Sequence, residues 1–304
     1  MYVTTPLVIN WHLTEVCNYR CQYCYAKWNN ESQPRELIHN SESTLRMLTE
    51  LYRFFQPDNK ANPLTDTMSW NSIRLNLAGG EPLLYPQKFI SIVKQASNLG
   101  FDVSLISNAS QLDRELLELL APHLTWLGIS LDSQDLETNK AIGRIDNRGH
   151  QLDLEKLATD IQIVRQRFSG MRLKINTVVN LLNHQEDLSR IITNFSPDKW
   201  KVLQMLPVLD QSLSISSAQF TAFINRHRAH DNILNAESNQ DMSESYLMID
   251  PNGRFFQNSQ NSLANGYCYS QKIIDVGIES AFSEMTFDSN RFNSRYIANT
   301  KGEK

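Results

Sequence analysis

The sequence predicts an α/β fold, a partial (β/α)6 TIM-like barrel with a C-terminal α+β extension closing its open side. Three observations predict it. Short strand-like runs alternate with helical ones from Pro6 to Leu206, the order in which βαβ units build a parallel sheet. Within the runs, apolar and polar residues alternate with the period of a strand that separates two environments. The chain has 304 residues, 41% of them hydrophobic and 20% charged, enough apolar mass for a large core in an ordinary globular composition.

The elements follow in order. "PLVINWHL" is the first strand, and a helix near Ser43–Phe55 repeats Leu45, Leu48, Tyr52 and Phe55 at three- and four-residue steps, the spacing of one buried stripe. "SIRLNL", a helix over Pro86–Leu99 stopped by Gly100, "FDVSLIS", a helix near Asp113–Leu120 and "TWLGISLD" come next. A helix near Leu152–Phe168, "RLKINTVV", a helix near Gln185–Phe195 and "KWKVLQML" complete the alternation. After Pro207 it fades into a mixed region without repeat or low-complexity linker. The expected division is therefore a barrel over 1–206 and an extension over 207–304 that packs on it, the part to which the resemblance named below assigns substrate binding.

In a barrel the outer strand face packs on helices and the other phase points into the lumen. Here Leu173 and Ile175 alternate with Lys174 and Asn176, and Leu127, Ile129 and Leu131 with Gly128, Ser130 and Asp132. Ile73, Leu75 and Leu77 alternate with Arg74 and Asn76, and Trp200 and Val202 with Lys199 and Lys201. Asn10, His12 and Thr14 are the polar phase of the first strand. A polar inner phase on so many strands describes a wet, functional cavity.

Net charge is −4, so an anion site must be a local cluster, and nothing global suggests a nucleic-acid or membrane partner. No stretch approaches the ~20 apolar residues that span a bilayer. The opening "MYVTTPLVINWHL" carries neither a basic n-region nor a signal-peptide core. The expected location is cytoplasmic and reducing, where neighbouring cysteines are ligands rather than disulfides.

Three of the four cysteines are Cys17, Cys21 and Cys24, at the end of the first strand; Cys268 stands far downstream. Thiolates suit zinc or an iron–sulfur cluster. Structural zinc asks for four ligands, usually in two pairs, whereas a four-iron cubane on three cysteines leaves one iron open. Cys17-x3-Cys21-x2-Cys24 after the first strand of an α/β barrel resembles the motif of the radical S-adenosylmethionine (SAM) enzymes, with Tyr23 as the aromatic that the pattern places between the last two cysteines. "LAGGEP", over 77–82, resembles the turn that receives the methionine end of SAM in that superfamily. On this reading Gly79 and Gly80 let carbonyls approach the ligand and Glu81 faces its amino group. The resemblance also places Ser107, Asn108 and Ser130 at the carboxylate and ribose of SAM.

The match narrows to the viperin family. "NWHLTEVCNYRCQYCY", "LISNAS", "ISLDS", "AIGR", "KINTVVN", "DKWKVLQ", "ESNQDMSESYL" and "IIDVGIESA" resemble it in order along most of the chain. The resemblance implies a 4Fe-4S cluster on Cys17, Cys21 and Cys24, and SAM as co-substrate. It implies a 5′-deoxyadenosyl radical that takes the C4′ hydrogen of a nucleoside triphosphate, followed by loss of the 3′-hydroxyl as water. It further implies a low-potential electron donor such as flavodoxin or ferredoxin. Asn10, Arg144, Lys174, Asn176, Lys199, Lys201 and Tyr246 match family positions at the nucleotide, and the 237–250 segment resembles the part that closes over it.

Departures are informative. The amphipathic membrane helix and terminal tryptophan of animal viperins are not expected here, where the sequence ends in "TKGEK". Ala109 replaces the glycine of the usual "SNGS". Lys199 replaces an arginine, keeping the charge but losing the planar fork. The basic lumen residues agree with a polyphosphate. A radical SAM peptide-modifying enzyme would more commonly carry a cysteine-rich extension, and this tail has only Cys268. A degenerate scaffold holding a structural metal would not need intact cysteines, GGEP turn and basic lumen together.

Overall fold

The computed structural model describes residues 3–4, 6–26, 36–207, 210–242, 244–257 and 267–297. Ser243 of "ESNQDMSESYL" and the "TKGEK" end lie outside them. The six expected strands are β1 (Leu7–His12), β2 (Ile73–Ala78), β3 (Asp102–Ser107), β4 (Trp126–Ser130), β5 (Arg172–Val179) and β6 (Lys199–Gln204). They lie side by side, all parallel. Their outer phase is the core: Leu7, Ile9, Trp11, Ile73, Leu75, Leu77, Leu105, Leu127, Ile129, Leu173, Ile175, Trp200 and Val202 are at most 1% exposed. Each fully buried Leu or Ile contributes roughly 1.5–3 kcal/mol.

The helices covering that face start and stop where local chemistry directs. For α1 (Ser41–Phe55), the Asn40 side chain accepts from Ser43 N at 3.0 Å. α2 (Pro86–Leu99) opens on proline and ends at Gly100, whose φ of 101° suits a residue without Cβ. Asp113, Asp135 and Asp153 cap α3 (Arg114–Leu120), α4 (Leu136–Ile142) and α5 (Leu154–Arg167). α6 (Ser189–Phe195) begins later than its pattern suggested.

Two sequence expectations are corrected. The α1 stripe is Met47, Leu48, Leu51, Phe54 and Phe55, while Leu45 is 45% exposed. α4 was not anticipated, because seven residues with Leu136 exposed show no helical period.

The region after Pro207 extends the barrel as well as packing on it. After α7 (Ser217–Arg226), β7 (Leu234–Glu237) pairs in parallel with β6. β8 (Leu247–Ile249) pairs in parallel with β1 at the other edge. β9 (Arg254–Gln257) and β10 (Cys268–Lys272) follow antiparallel. The order β10-β9-β8-β1-β2-β3-β4-β5-β6-β7 thus contains eight successive parallel strands, with β7 and β8 unpaired to each other. No helix among the described residues is long and apolar enough to cross a membrane.

Candidate active site

The cysteine loop leaves β1 and is tied down on both sides. Thr14 Oγ1 and Glu15 N donate to Glu36 at 2.7 Å each. Gly80 N donates to Thr14 O at 2.6 Å and Glu81 N to Val16 O at 2.8 Å. A Cβ on Gly80 would lie 2.3 Å from Val16 O, and one on Gly79 2.7 Å from Thr14 O. The glycines therefore press the GGEP turn against the chain entering the cysteine loop. This contact was not anticipated when they were read as making room for a ligand. The far side is bonded from Arg20 N to Gly143 O and from Gln22 N to Ile142 O, both at 3.0 Å. A Cβ on Gly143, whose φ is 87°, would meet Arg20 O at 2.2 Å.

Cys17, Cys21 and Cys24 are each half-buried. Cys17 Sγ accepts from Tyr19 N at 3.4 Å and from Asn108 Nδ2 at 3.8 Å, and Arg144 Nη1 points at Cys21 Sγ from 4.0 Å. Burial pushes the Cys21 thiol up to about 12, with Arg144 opposing, so ionisation there calls for a bound cation. Among the described residues no three His, Cys, Asp or Glu side chains are placed to hold a single metal ion. Three thiols on one loop, two of them met by N–H donors, fit a cluster that gives each sulfur its own iron.

Glu81 is fully buried and accepts from Asn108 N at 2.7 Å, Ser107 Oγ at 2.8 Å and Leu83 N at 3.0 Å. Burial raises it to about 7 against those three donors. It thereby holds the turn after β3, where Ala109 sits at φ 61°. The exchange of glycine for alanine there is not small, since an L-residue in the left-handed region is strained. Ser107 Oγ also accepts from Ala109 N at 2.8 Å, and Asn108 Nδ2 donates to Asn18 Oδ1 at 3.0 Å.

Arg144 belongs to this end. Its Nη2 donates to Ser130 O at 2.6 Å, its Nη1 to Tyr23 Oη at 3.3 Å, and Asp132 Oδ2 lies 3.4 Å away. Burial would lower its pKa, but Asp132, Cys21 and Tyr19 raise it well above its ordinary value. Tyr19, Asn108, Ser130, Asp132 and Arg144 line one crevice beside the cysteines. The structure thus gathers Tyr23, Gly79, Gly80, Glu81, Ser107, Asn108 and Ser130 around the cysteine loop and adds Arg144, which the resemblance assigned to the phosphates.

The lumen below is of opposite character. Ser104 Oγ donates to Asn76 Oδ1 at 2.7 Å, Asn76 Nδ2 to Asn10 Oδ1 at 2.7 Å, and Asn10 Nδ2 to Leu247 O at 3.2 Å. Lys174 is in register with Lys199, and Asn176 with Lys201. Burial drives Lys174 from 10.5 to about 7, and Lys201, Lys199 and Arg74 push the same way. Asn176 is 8% exposed and its Nδ2 has no hydrogen-bond partner among the described residues. Gly128 leaves room beside it, since a Cβ there would lie 3.3 Å from that nitrogen. Arg74 and Arg172 stand over the Trp126 ring at 5.7 and 5.6 Å on the floor.

At the seam between β7 and β8, Lys201 Nζ donates to Tyr246 Oη at 2.7 Å and pairs with Glu237 at 2.9 Å. Tyr246 Oη in turn donates to Glu237 through a short hydrogen bond. Sequence reasoning missed Glu237 and Glu36, and saw Arg74 and Asp132 in the lumen phase without giving them a role. Glu237 lay inside the quoted "ESNQ", but a four-residue strand gave no period to place it on a wall.

A parallel barrel with three thiols on the first strand's exit loop, and a GGEP turn locked against it, defines a class. A sequence profile described as the Radical SAM superfamily matches residues 11–179, more than half of the chain. The fold is also similar to anSMEcpe with bound AdoMet, at a TM-score of 0.64 and 14% identity over 97% of this chain and 80% of that one. It is likewise similar to Streptococcus suis SuiB bound to S-adenosylmethionine, at 0.58 and 13% over 95% and 67%. These two show the fold alone. The chain belongs to the radical SAM superfamily.

Its relatives narrow the class. Proteins named S-adenosylmethionine-dependent nucleotide dehydratase are 39% identical in Pseudoalteromonas ulvae, over 95% of this chain and 92% of theirs, and 41% in Psychrobacter lutiphocae, over 95% and 94%. RSAD2 of Oncorhynchus mykiss, carrying the same name, is 29% identical over 96% and 79%. Within the superfamily the chain belongs to this nucleotide dehydratase family, the viperins.

Proposed function

We propose that the protein dehydrates a ribonucleoside triphosphate (CTP, UTP or GTP) to its 3′-deoxy-3′,4′-didehydro form, a polymerase chain terminator serving antiviral, anti-phage defence in the cytoplasm. The observation that carries this reading is the buried basic lumen. Burial lowers Lys174 to about 7, and Lys201, Lys199 and Arg74 around it push the same way. Such a cluster is unfavourable until a polyanion enters it.

Cys17, Cys21 and Cys24 would hold the 4Fe-4S cluster. With SAM bound, and an electron from a donor such as flavodoxin or ferredoxin, it supplies the hydrogen-abstracting radical. The chain's own residues set the stage. Glu81 fixes Ser107 and Asn108, and Tyr23, Gly79, Gly80 and Ser130 complete a polar rim for SAM. Lys174, Lys199, Lys201 and the Asn176 amide receive the phosphates, and Arg144 guards the boundary between the two ligands. Asn10 stands on the polar ladder near the base. Residues 207–304 supply the remaining wall, with Tyr246 covering the sugar and excluding water.

Anaerobic incubation of the iron-reconstituted protein with dithionite, SAM and each triphosphate in turn tests this by mass spectrometry. One triphosphate should lose one water in step with 5′-deoxyadenosine release. Deoxyadenosine release with every triphosphate recovered intact would refute it.

A further inference from the structure

Glu237 is an acid in the wrong place for a phosphate site. It is 5% exposed and paired with Lys201 at 2.9 Å, and it acts on Lys174 from within the basic cluster. A buried carboxylate repels phosphate, so the phosphates cannot occupy its position. It also makes a poor magnesium ligand while an ammonium holds it.

Register shows which part of a nucleotide it meets. Lys174 pairs with Lys199, Asn176 with Lys201 two residues further along, and Leu203 with Glu237 two residues beyond that. At roughly 3.3 Å per residue these are layers about 6–7 Å apart, climbing toward the cysteine loop. Tyr246, which donates to Glu237, packs in the same aromatic cluster as Cys24. A triphosphate seated on Lys174 and Lys199 therefore carries its sugar to the level of Glu237, between the phosphates and the cysteines. What a sugar offers there is hydroxyl donors, and a carboxylate only accepts.

Resting on the nucleotide reading above, we infer that Glu237, held by Lys201 and Tyr246, receives the ribose hydroxyls and makes the site specific for ribo- over deoxyribonucleotides. The trio sets the direction of the substrate: anion down to the lysines, hydroxyls up to the carboxylate, and C4′ toward the cysteine end. Removing a hydroxyl takes one donor from a buried carboxylate that otherwise keeps Lys201 and Tyr246, and sites built on hydrogen bonds reject such analogues.

The test is equilibrium binding, needing no turnover. The probes are the tightest-binding of CTP, UTP and GTP, its 2′-deoxy and 3′-deoxy counterparts, and inorganic tripolyphosphate. Wild type should bind the ribonucleotide about 10- to 100-fold more tightly than at least one deoxy form. Glu237→Gln should erase most of that ratio yet bind tripolyphosphate as well as wild type or better, because a repelling charge has gone. Tyr246→Phe, which keeps the ring, should lower the ratio in part. A merely structural Glu237 would weaken all ligands together and leave the ratio intact, and that result overturns the inference. If wild type bound neither the triphosphates nor tripolyphosphate, the nucleotide reading itself would fall, and this one with it.

Discussion

At the cysteine end, Arg144 has Asp132 at 3.4 Å, the Ser130 carbonyl at 2.6 Å and a thiol at 4.0 Å, so a buried cation is held by counter-charges before any ligand arrives. Some two strand layers below, Lys174 faces Lys201, Lys199 and Arg74, with Glu237 the anion that acts in its favour. The same barrel thus holds one region whose charges are satisfied by the fold and another whose charges oppose it. A satisfied region keeps a loop in fixed geometry, which a metal cluster requires. An unsatisfied one stores affinity for what will neutralise it. Binding and stability should therefore respond oppositely at the two ends.

The largest effect should follow from the thiols. Replacing Cys17, Cys21 or Cys24 by Ala should abolish the visible iron–sulfur absorption and SAM cleavage together, whereas Cys268→Ala, at an exposed position, should spare both. Bleaching by Cys268→Ala would break the three-thiol account.

Arg144→Ala should destabilise the protein by about 3 kcal/mol or more in chemical denaturation, since Asp132 is left buried without its cation. Lys174→Met should do the reverse. It should raise the stability of the ligand-free protein by an amount on the order of a few kcal/mol at neutral pH while weakening triphosphate binding roughly 10- to 100-fold. If both variants lost stability alike, the contrast between the ends would be wrong.

The same lysine gives a pH dependence with a definite sign. Its ordinary pKa is 10.5 and burial in the fold lowers it to about 7. Between those values the unfolded chain holds the extra proton, so this group makes ligand-free stability rise with pH across that window. Below it both states are protonated and the full cost of the buried charge remains. Denaturation midpoints of wild type at about pH 7 and about pH 9 should show the rise, and Lys174→Met should flatten it.

The smallest effect belongs to Ala109. At φ 61° it carries left-handed strain that glycine would not, so Ala109→Gly should stabilise by about 0.5–1 kcal/mol in thermal or chemical melts.

How much of this could be read in the sequence depended on length and period. β5 is eight residues long, alternates strictly from Arg172 to Asn176, and its bounds agree with the sequence reading to the residue. Lys174 and Asn176 fell on the lumen phase for the same reason. α4, β7 and β8 run to seven, four and three residues, too short to show a period, so the two strands that widen the barrel went unseen. Glu237 went unseen with them. The motifs placed the cysteines and the GGEP turn, but not the use of the glycines. Their close approach to Thr14 and Val16 is a contact between distant segments, which no local pattern records. The resemblance put Arg144 at the phosphates, and no local pattern could add that it also pairs with Asp132 on a different loop.

The central claim, that the buried lumen leaves Lys174 short of its proton until a polyphosphate arrives, is tested most directly by calorimetry of triphosphate binding at about pH 8 in buffers of different ionisation enthalpy. The account predicts that binding takes up close to one proton in the wild type and far less in Lys174→Met. Equal uptake in the two proteins, or none in either, would contradict it.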